Sequence, residues 1–317
     1  MLKILSITGP VYLIILLGYL ATRSGLFARS EMQVLGTFVI NLAIPALLFK
    51  VSSERELGEI FNPTYLLAYL AGSLLVVCGG YFWSRRMAGY SATVATFNAL
   101  GMSCSNSGFI GFPILLLFVE QVAGICFALK ILVENLIILP IILALAEHSR
   151  GGNLPWYRLF LRTLGRLALN PLIIALTAGV LTSVSQIDLP VMITRTVELL
   201  AVSCTALALF FIGGTLVGVQ SKGNISRISL IVVGKLIIHP LAVFFNILLL
   251  PVAGLPTLAA PMAAGAVISA AVPMLSIYSI LALKYGEEDI CSAAMLIATL
   301  ISFFTLNLLL AGINHFL

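Results

Sequence analysis

Two pairs of ionisable residues stand inside apolar sequence at helical spacing. Lys130 and Glu134 are four residues apart, and so are Lys235 and His239, just before Pro240. Residues four apart share one face of a helix. A charge at the centre of a bilayer costs about 2.5–3.5 kcal/mol on insertion scales, so such residues pair or face water. Lys130 and Glu134 can pair with each other. Lys235 has no acid in its own run and can either reach Glu134 or extend to the membrane rim. The functional reading is ion coupling or charge balance, with Glu134 or His239 taking up and releasing a proton; histidine titrates near neutral pH. The structural reading is an ion pair and a hydrogen-bonded core histidine.

A second constellation is polar rather than charged. Residues 105–113 read Ser-Asn-Ser-Gly-Phe-Ile-Gly-Phe-Pro inside an apolar run long enough to cross a bilayer. Asn106, Gly108, Gly111 and Pro113 together break helices. In lipid, broken backbone survives only where protein buries it or where it lines a cavity, and in carriers such breaks form the substrate site. A matching stretch, residues 265–273, runs Gly-Ala-Val-Ile-Ser-Ala-Ala-Val-Pro and includes Ala271 and Pro273, with Ser276 just beyond. Proline is favoured at the first position of a new helix, whose free N–H groups carry positive partial charge. Two half-helices starting at Pro113 and Pro273 would favour an anion such as a carboxylate. Asn106 adds an amide donor and acceptor, and Ser105, Ser107 and Ser276 add hydroxyls. Gly108 and Gly111 admit close approach of backbone to a ligand; equally, small residues permit tight helix crossing. Asn41 and Pro45 form a smaller version of the same pattern, readable as a proline kink or as part of the cavity wall.

The elements that must position these residues are membrane helices. Of 317 residues, 61% are hydrophobic and 9% charged, far below the ~25% charged of soluble domains. Apolar runs of about 20 residues suit membrane helices. Ten are expected, at about 4–22, 33–50, 63–84, 92–118, 122–146, 160–184, 192–218, 228–250, 257–283 and 290–313, with the fourth and ninth interrupted. The first is read as a retained helix rather than a cleaved signal. The longest connection, 147–159, divides the chain into a first repeat, 1–150, and a second, 151–317. Five spans per repeat is odd, so two alike halves must be inverted. Pro10 precedes Gly18 by eight residues, as Pro171 precedes Gly179, and Ile125-Cys126 and Ile290-Cys291 open the fifth and tenth runs. Basic residues gather on one set of loops, among them Arg85, Arg86, Arg150 and Arg158. This makes that side cytoplasmic and places both termini outside the cytoplasm.

Several classes are excluded. The +5 net charge is too diffuse for nucleic acid. Zinc-protease, nucleophile-elbow and P-loop patterns are missing, so no enzyme is expected. The five cysteines lack metal-ligand spacing and read as buried thiols, with no metal site. Glu287, Glu288 and Asp289 read as a solvated cap on the last helix.

The motifs together resemble those of the auxin efflux carrier family, which includes the plant PIN proteins. Residues 106–113 resemble its fourth-helix motif, 41–45 with Leu48 and Phe49 its second-helix motif, 235–240 helix eight of bacterial members, and 271–273 with 282–286 the ninth-helix region. The resemblance implies an all-α membrane protein with ten transmembrane helices in two inverted five-helix repeats. Crossing broken helices four and nine follow the pattern of bile-acid and sodium–proton transporter folds. It also implies a scaffold of helices 1, 2, 6 and 7, often homodimeric, and a transport domain of helices 3–5 and 8–10. Asn106 matches the position that contacts a substrate carboxylate, and Pro113 and Pro273 match the crossover prolines. The short loop after the fifth helix departs from plant members and points to a prokaryotic, inner-membrane carrier, whose bacterial relatives are linked to malonate and malate. The expected function is a secondary active transporter of a small organic anion, with proton or sodium coupling and no other cofactor. The alternative is a non-transporting sensor or a lipid- or sterol-binding module on the same fold.

Overall fold

The computed structural model describes residues 2–54, 62–149, 165, 169–218 and 224–316. Their regular structure is helical. Among the described residues there is no strand, only one isolated antiparallel bridge between Ser105 and Met274. In chain order the helices are α1 (Leu2–Arg23), α2 (Arg29–Ser53), α3 (Pro63–Met87), α4 (Ala92–Ser103), α5 (Ser107–Phe118) and α6 (Glu120–Ser149). There follow α7 (Pro171–Val184), α8 (Val191–Thr215), α9 (Ile225–Ala253), α10 (Ala260–Ala271), α11 (Tyr278–Leu283) and α12 (Glu288–Phe316). Six of these, α2, α3, α6, α8, α9 and α12, are long and apolar enough to cross a membrane. The chain is an integral membrane protein of the all-α class. Residues 150–164 and 166–168, which hold most of the central connection and the start of the sixth apolar run, lie outside the described residues.

Local sequence explains where the helices begin and where they widen. Ser91, Asn170 and Asn224 cap α4, α7 and α9, their side-chain oxygens accepting from the N–H groups of Val94, Leu172 and Arg227. Capping satisfies donors that have no partner in the first helical turn. Among the described residues five π turns widen the helices, at Val39–Ala43, Trp83–Met87, Ser107–Gly111, Glu134–Ile138 and Gly234–Ile238. Four are followed two residues later by a proline: Pro45, Pro113, Pro140 and Pro240. Proline lacks an N–H and its ring crowds the carbonyl four residues back; a widened turn relieves that crowding without ending the helix. Asn41, Glu134 and Lys235 all ride on such turns.

The fourth and ninth apolar runs are each divided, but more narrowly than the sequence implies. The first interruption covers residues 104–106, and helix resumes at Ser107, so Gly108, Gly111 and Pro113 are helical. The second covers residues 272–277, so residues 265–271 belong to α10. There the Ser269 hydroxyl donates to Gly265 O of its own helix at 2.7 Å. Pro273 therefore does not open a half-helix: it sits in extended backbone, and α11 begins five residues later at Tyr278.

The chain forms two compact units. The first comprises Met1–Asn62, Gly108–Leu129 and Arg166–Gly218; the second comprises Pro63–Ser107, Lys130–Gly165 and Val219–Leu317. In the first unit α1 runs along α8 at backbone contact. A Cβ on Gly213 would lie 1.9 Å from Ile15 O, and one on Gly18 would lie 2.1 Å from Phe210 O. The same unit brings α7 against α2, where a Cβ on Gly179 would lie 2.6 Å from Phe49 O. Aromatic contacts fill between, with Phe109 and Phe211 ring centroids 4.6 Å apart.

In the second unit α3 lies against α9, where a Cβ on Gly72 would meet the Val243 backbone at 2.8 Å. One end of this unit buries charge. Arg227 Nε donates to Asn98 Oδ1 at 2.8 Å, its guanidinium lies 2.7 Å from Glu287 Oε2, and it covers the Tyr90 ring at 5.6 Å. Glu287 is thus not the solvated cap that its place in an acidic run suggests. It neutralises an arginine that the fold has buried.

Candidate functional site

The two interruptions meet in the second unit. Asn106 N donates to Pro273 O at 2.7 Å and Leu275 N to Cys104 O at 3.3 Å, the two bonds of an antiparallel bridge. Each broken helix thereby satisfies part of the backbone the other leaves open, which buried polar groups require.

The charged side chains complete this pairing, and they converge on Ser105. Its N–H donates to Glu134 Oε1 at 3.1 Å. Its carbonyl accepts from Lys130 Nζ at 3.2 Å, and its hydroxyl oxygen accepts from Lys235 Nζ at 2.6 Å. Lys130 also pairs with Glu134 Oε2 at 3.2 Å and donates to the Ser107 hydroxyl. Lys235 also donates to Ala270 O at 2.7 Å, a carbonyl in the last turn of α10. Cations are favoured at helix C-termini, where carbonyls lack intrahelical partners. Lys130 serves the broken end that follows α4, and Lys235 the broken end of α10. Two ammoniums face one carboxylate here, leaving a formal excess of one positive charge among these three groups. All three are buried.

His239 is fixed on both ring nitrogens, with Nδ1 2.9 Å from Lys235 Nζ and Nε2 3.0 Å from Ser73 Oγ. An ammonium has only donors; against Lys235 in that state Nδ1 is assigned as the acceptor and Nε2 as the protonated nitrogen, facing Ser73. Tyr69 donates to Glu134 Oε1 at 3.0 Å, and its ring lies edge-on to His239 at 5.7 Å.

Tyr69 and Ser73 are participants the sequence reading passed over. They sit four residues apart on α3, with Tyr65 four before and stacked on Tyr69 at 6.2 Å. That stripe of side chains with polar tips on an apolar helix was the available signal.

The other candidate residues divide between the units. Asn106, Ala271 and Pro273 are buried at the bridge, while Ser107 and Ser276 beside it are half-buried. Gly108, Gly111, Pro113, Asn41 and Pro45 belong to the first unit. Within it Gly108 serves packing, since a Cβ there would lie 2.7 Å from Ile44 Cδ1, next to Pro45. Asn41 is exposed and its amide donates to Thr37 O of its own helix at 2.9 Å.

Comparison with known proteins fits a membrane carrier. The family described as membrane transport protein matches residues 8–310. A Rhizobium meliloti (strain 1021) protein named "Putative malonate transporter" is 28% identical over 316 residues, 98% of this chain and 96% of that one. An Escherichia coli (strain K12) protein named "Uncharacterized transporter YfdV" is 27% identical over 239 residues, 74% of each chain. A Methanothermobacter thermautotrophicus protein named "Uncharacterized transporter" is 28% identical over 106 residues, 33% of this chain and 34% of that one. The chain belongs to the membrane transport protein family, that of the auxin efflux carriers, and is a transporter and not an enzyme.

Proposed function

We propose that the chain is a secondary active carrier of a small organic anion, a carboxylate or dicarboxylate, working by alternating access. One observation carries this reading: two interrupted helices pair their extended segments deep in a membrane protein, with two buried lysines against one carboxylate beside them. Unwound backbone at membrane depth marks carrier sites, and a positive excess favours an anion. Asn106, at the bridge, is the proposed substrate contact, with the half-buried Ser107 and Ser276 at its edge. Malonate is the first anion to test, on the strength of the name of the Rhizobium meliloti relative.

The proposal includes ten spans in two inverted repeats. Its support is the pairing in the first unit: α1 against α8 through Gly18, and α7 against α2 through Gly179. Exchanging the halves turns one pair into the other, and each glycine follows a proline by eight residues. A scaffold of helices 1, 2, 6 and 7 and a transport domain of helices 3–5 and 8–10 are supported by the grouping of α1, α2, α7 and α8 in one compact unit and of α3, α4 and α9 to α12 in the other, whereas Gly108–Leu129, from the fourth and fifth helices, groups with the first unit. Dimerisation through the scaffold, a prokaryotic inner membrane and termini outside the cytoplasm complete the proposal.

The test is malonate uptake into proteoliposomes. Asn106→Ala is expected to lower uptake by about tenfold or more, the equivalent of one lost hydrogen bond of about 1.4 kcal/mol, at unchanged protein content. Wild-type uptake by this variant would remove Asn106 from the site. Saturable malonate binding by the wild type without flux would favour the sensor alternative.

A further inference from the structure

The buried ammonium of Lys235 has the surroundings of a bound metal cation. Among the described residues no carboxylate forms a salt bridge with it: Glu134 already accepts from Lys130, Ser105 N and Tyr69. Instead three lone-pair donors surround its nitrogen: Ser105 Oγ at 2.6 Å, Ala270 O at 2.7 Å and His239 Nδ1 at 2.9 Å. They come from three different elements: the first interruption, the end of α10, and α9 itself. The ring nitrogen is aimed by the Ser73 hydroxyl behind it. A hydroxyl, a half-helix carbonyl and an imidazole lone pair are neutral ligands, and each gains by facing a positive centre. In broken-helix carriers the coupling ion is held by carbonyls at the C-terminal ends of half-helices. Here such a carbonyl, that of Ala270, is already occupied by the chain's own ammonium.

We infer that Lys235 is a resident cation: its ammonium fills, on a side-chain tether, the position at the helix break that a free monovalent cation would otherwise fill. It supplies permanently the charge that joins the end of α10 to Ser105, so no inorganic cation is needed there. The site stands on geometry alone; its consequence, transport without a sodium requirement at this position, rests on the carrier reading.

The test needs no substrate, so its failure is distinct from failure of the transport assay. Thermal unfolding of the purified protein is followed in sodium, potassium or choline chloride at equal ionic strength. The wild type is expected to melt at the same temperature in all three. Lys235→Ala removes three methylenes and the ammonium, which together have the shape of n-propylammonium. This variant is expected to melt more than about 5 °C lower, the scale of a few kcal/mol, and to recover at least half of that loss with added n-propylammonium but not with 1-propanol. Lys235→Met, of similar length without charge, is expected to remain destabilised. Three results would each overturn the inference: wild-type protein stabilised by sodium over choline, Lys235→Met melting like wild type, or equal rescue by the alcohol and the amine. If Lys235→Ala does not fold, the wild-type and Lys235→Met arms still decide.

Discussion

Glu134→Ala is expected to destabilise the protein by about 3–5 kcal/mol, the usual effect of removing one partner of a buried ion pair. The carboxylate holds three donors at once: Lys130 Nζ at 3.2 Å, Ser105 N at 3.1 Å and the Tyr69 hydroxyl at 3.0 Å. Alanine strands all three in a buried site. Glu134→Gln keeps an acceptor for Ser105 and Tyr69 and should lose less. Adding Lys130→Met to Glu134→Ala removes the stranded charge, so the double variant should be more stable than the sum of the two single losses implies. Thermal unfolding in detergent, monitored by monodispersity, measures the wild type and the four variants, the single Lys130→Met included. A melting temperature for Glu134→Ala within a degree or two of wild type would show that the carboxylate is not holding the crossing together.

Gly213→Ala should have an effect of comparable size for a different reason. The new methyl carbon would lie 1.9 Å from Ile15 O, and that obstacle is backbone, which cannot rotate aside. α1 and α8 must separate, giving up packing along their contact. Overpacking of this kind costs about 1–3 kcal/mol and sometimes more, and an immovable carbonyl puts this case at the upper end. Gly18→Ala meets Phe210 O at 2.1 Å in the same helix pair. Once the helices have parted for one methyl, the second costs less, so the double variant should be sub-additive. Gly312→Ala, where nothing lies within 4 Å, is the control and should show no loss. Equal melting of Gly213→Ala and Gly312→Ala would refute the close approach of α1 and α8.

The sequence made some of this legible and hid the rest. Long apolar runs announced helices because lipid leaves the backbone little else to do. The interruptions in the fourth and ninth runs were visible as polar, small and proline residues. Their extent was not. Gly108, Gly111 and residues 265–271 are permissive rather than disruptive, and burial against neighbours keeps them helical. Pro273 looked like a helix start because proline favours that position, yet it serves as an acceptor for Asn106 N. Nothing local distinguishes those two uses. The pairing of Lys130 with Glu134 followed from spacing on one helix. The partners of Lys235 did not, because Ser105 and Ala270 lie 130 and 35 residues away and are recognisable only after folding. Glu287 misled for the same reason: it looks like a surface charge until Arg227 is placed beside it.

The capture of Ser105 by three charged side chains also bears on where the molecule can bend. Opening that knot would leave an acid or an amine stranded away from water, so it is the last place for a hinge. The chain nevertheless passes from one compact unit to the other two residues later, between Ser107 and Gly108, and returns between Leu129 and Lys130. Stiffness and passage are thus adjacent in sequence. Hydrogen exchange should find the amides of Ser105 and Asn106 among the slowest in the protein, opening only with global unfolding. Any compliance that transport demands must then be borne by segments on the far side of these two passages, leaving the crossing itself undeformed.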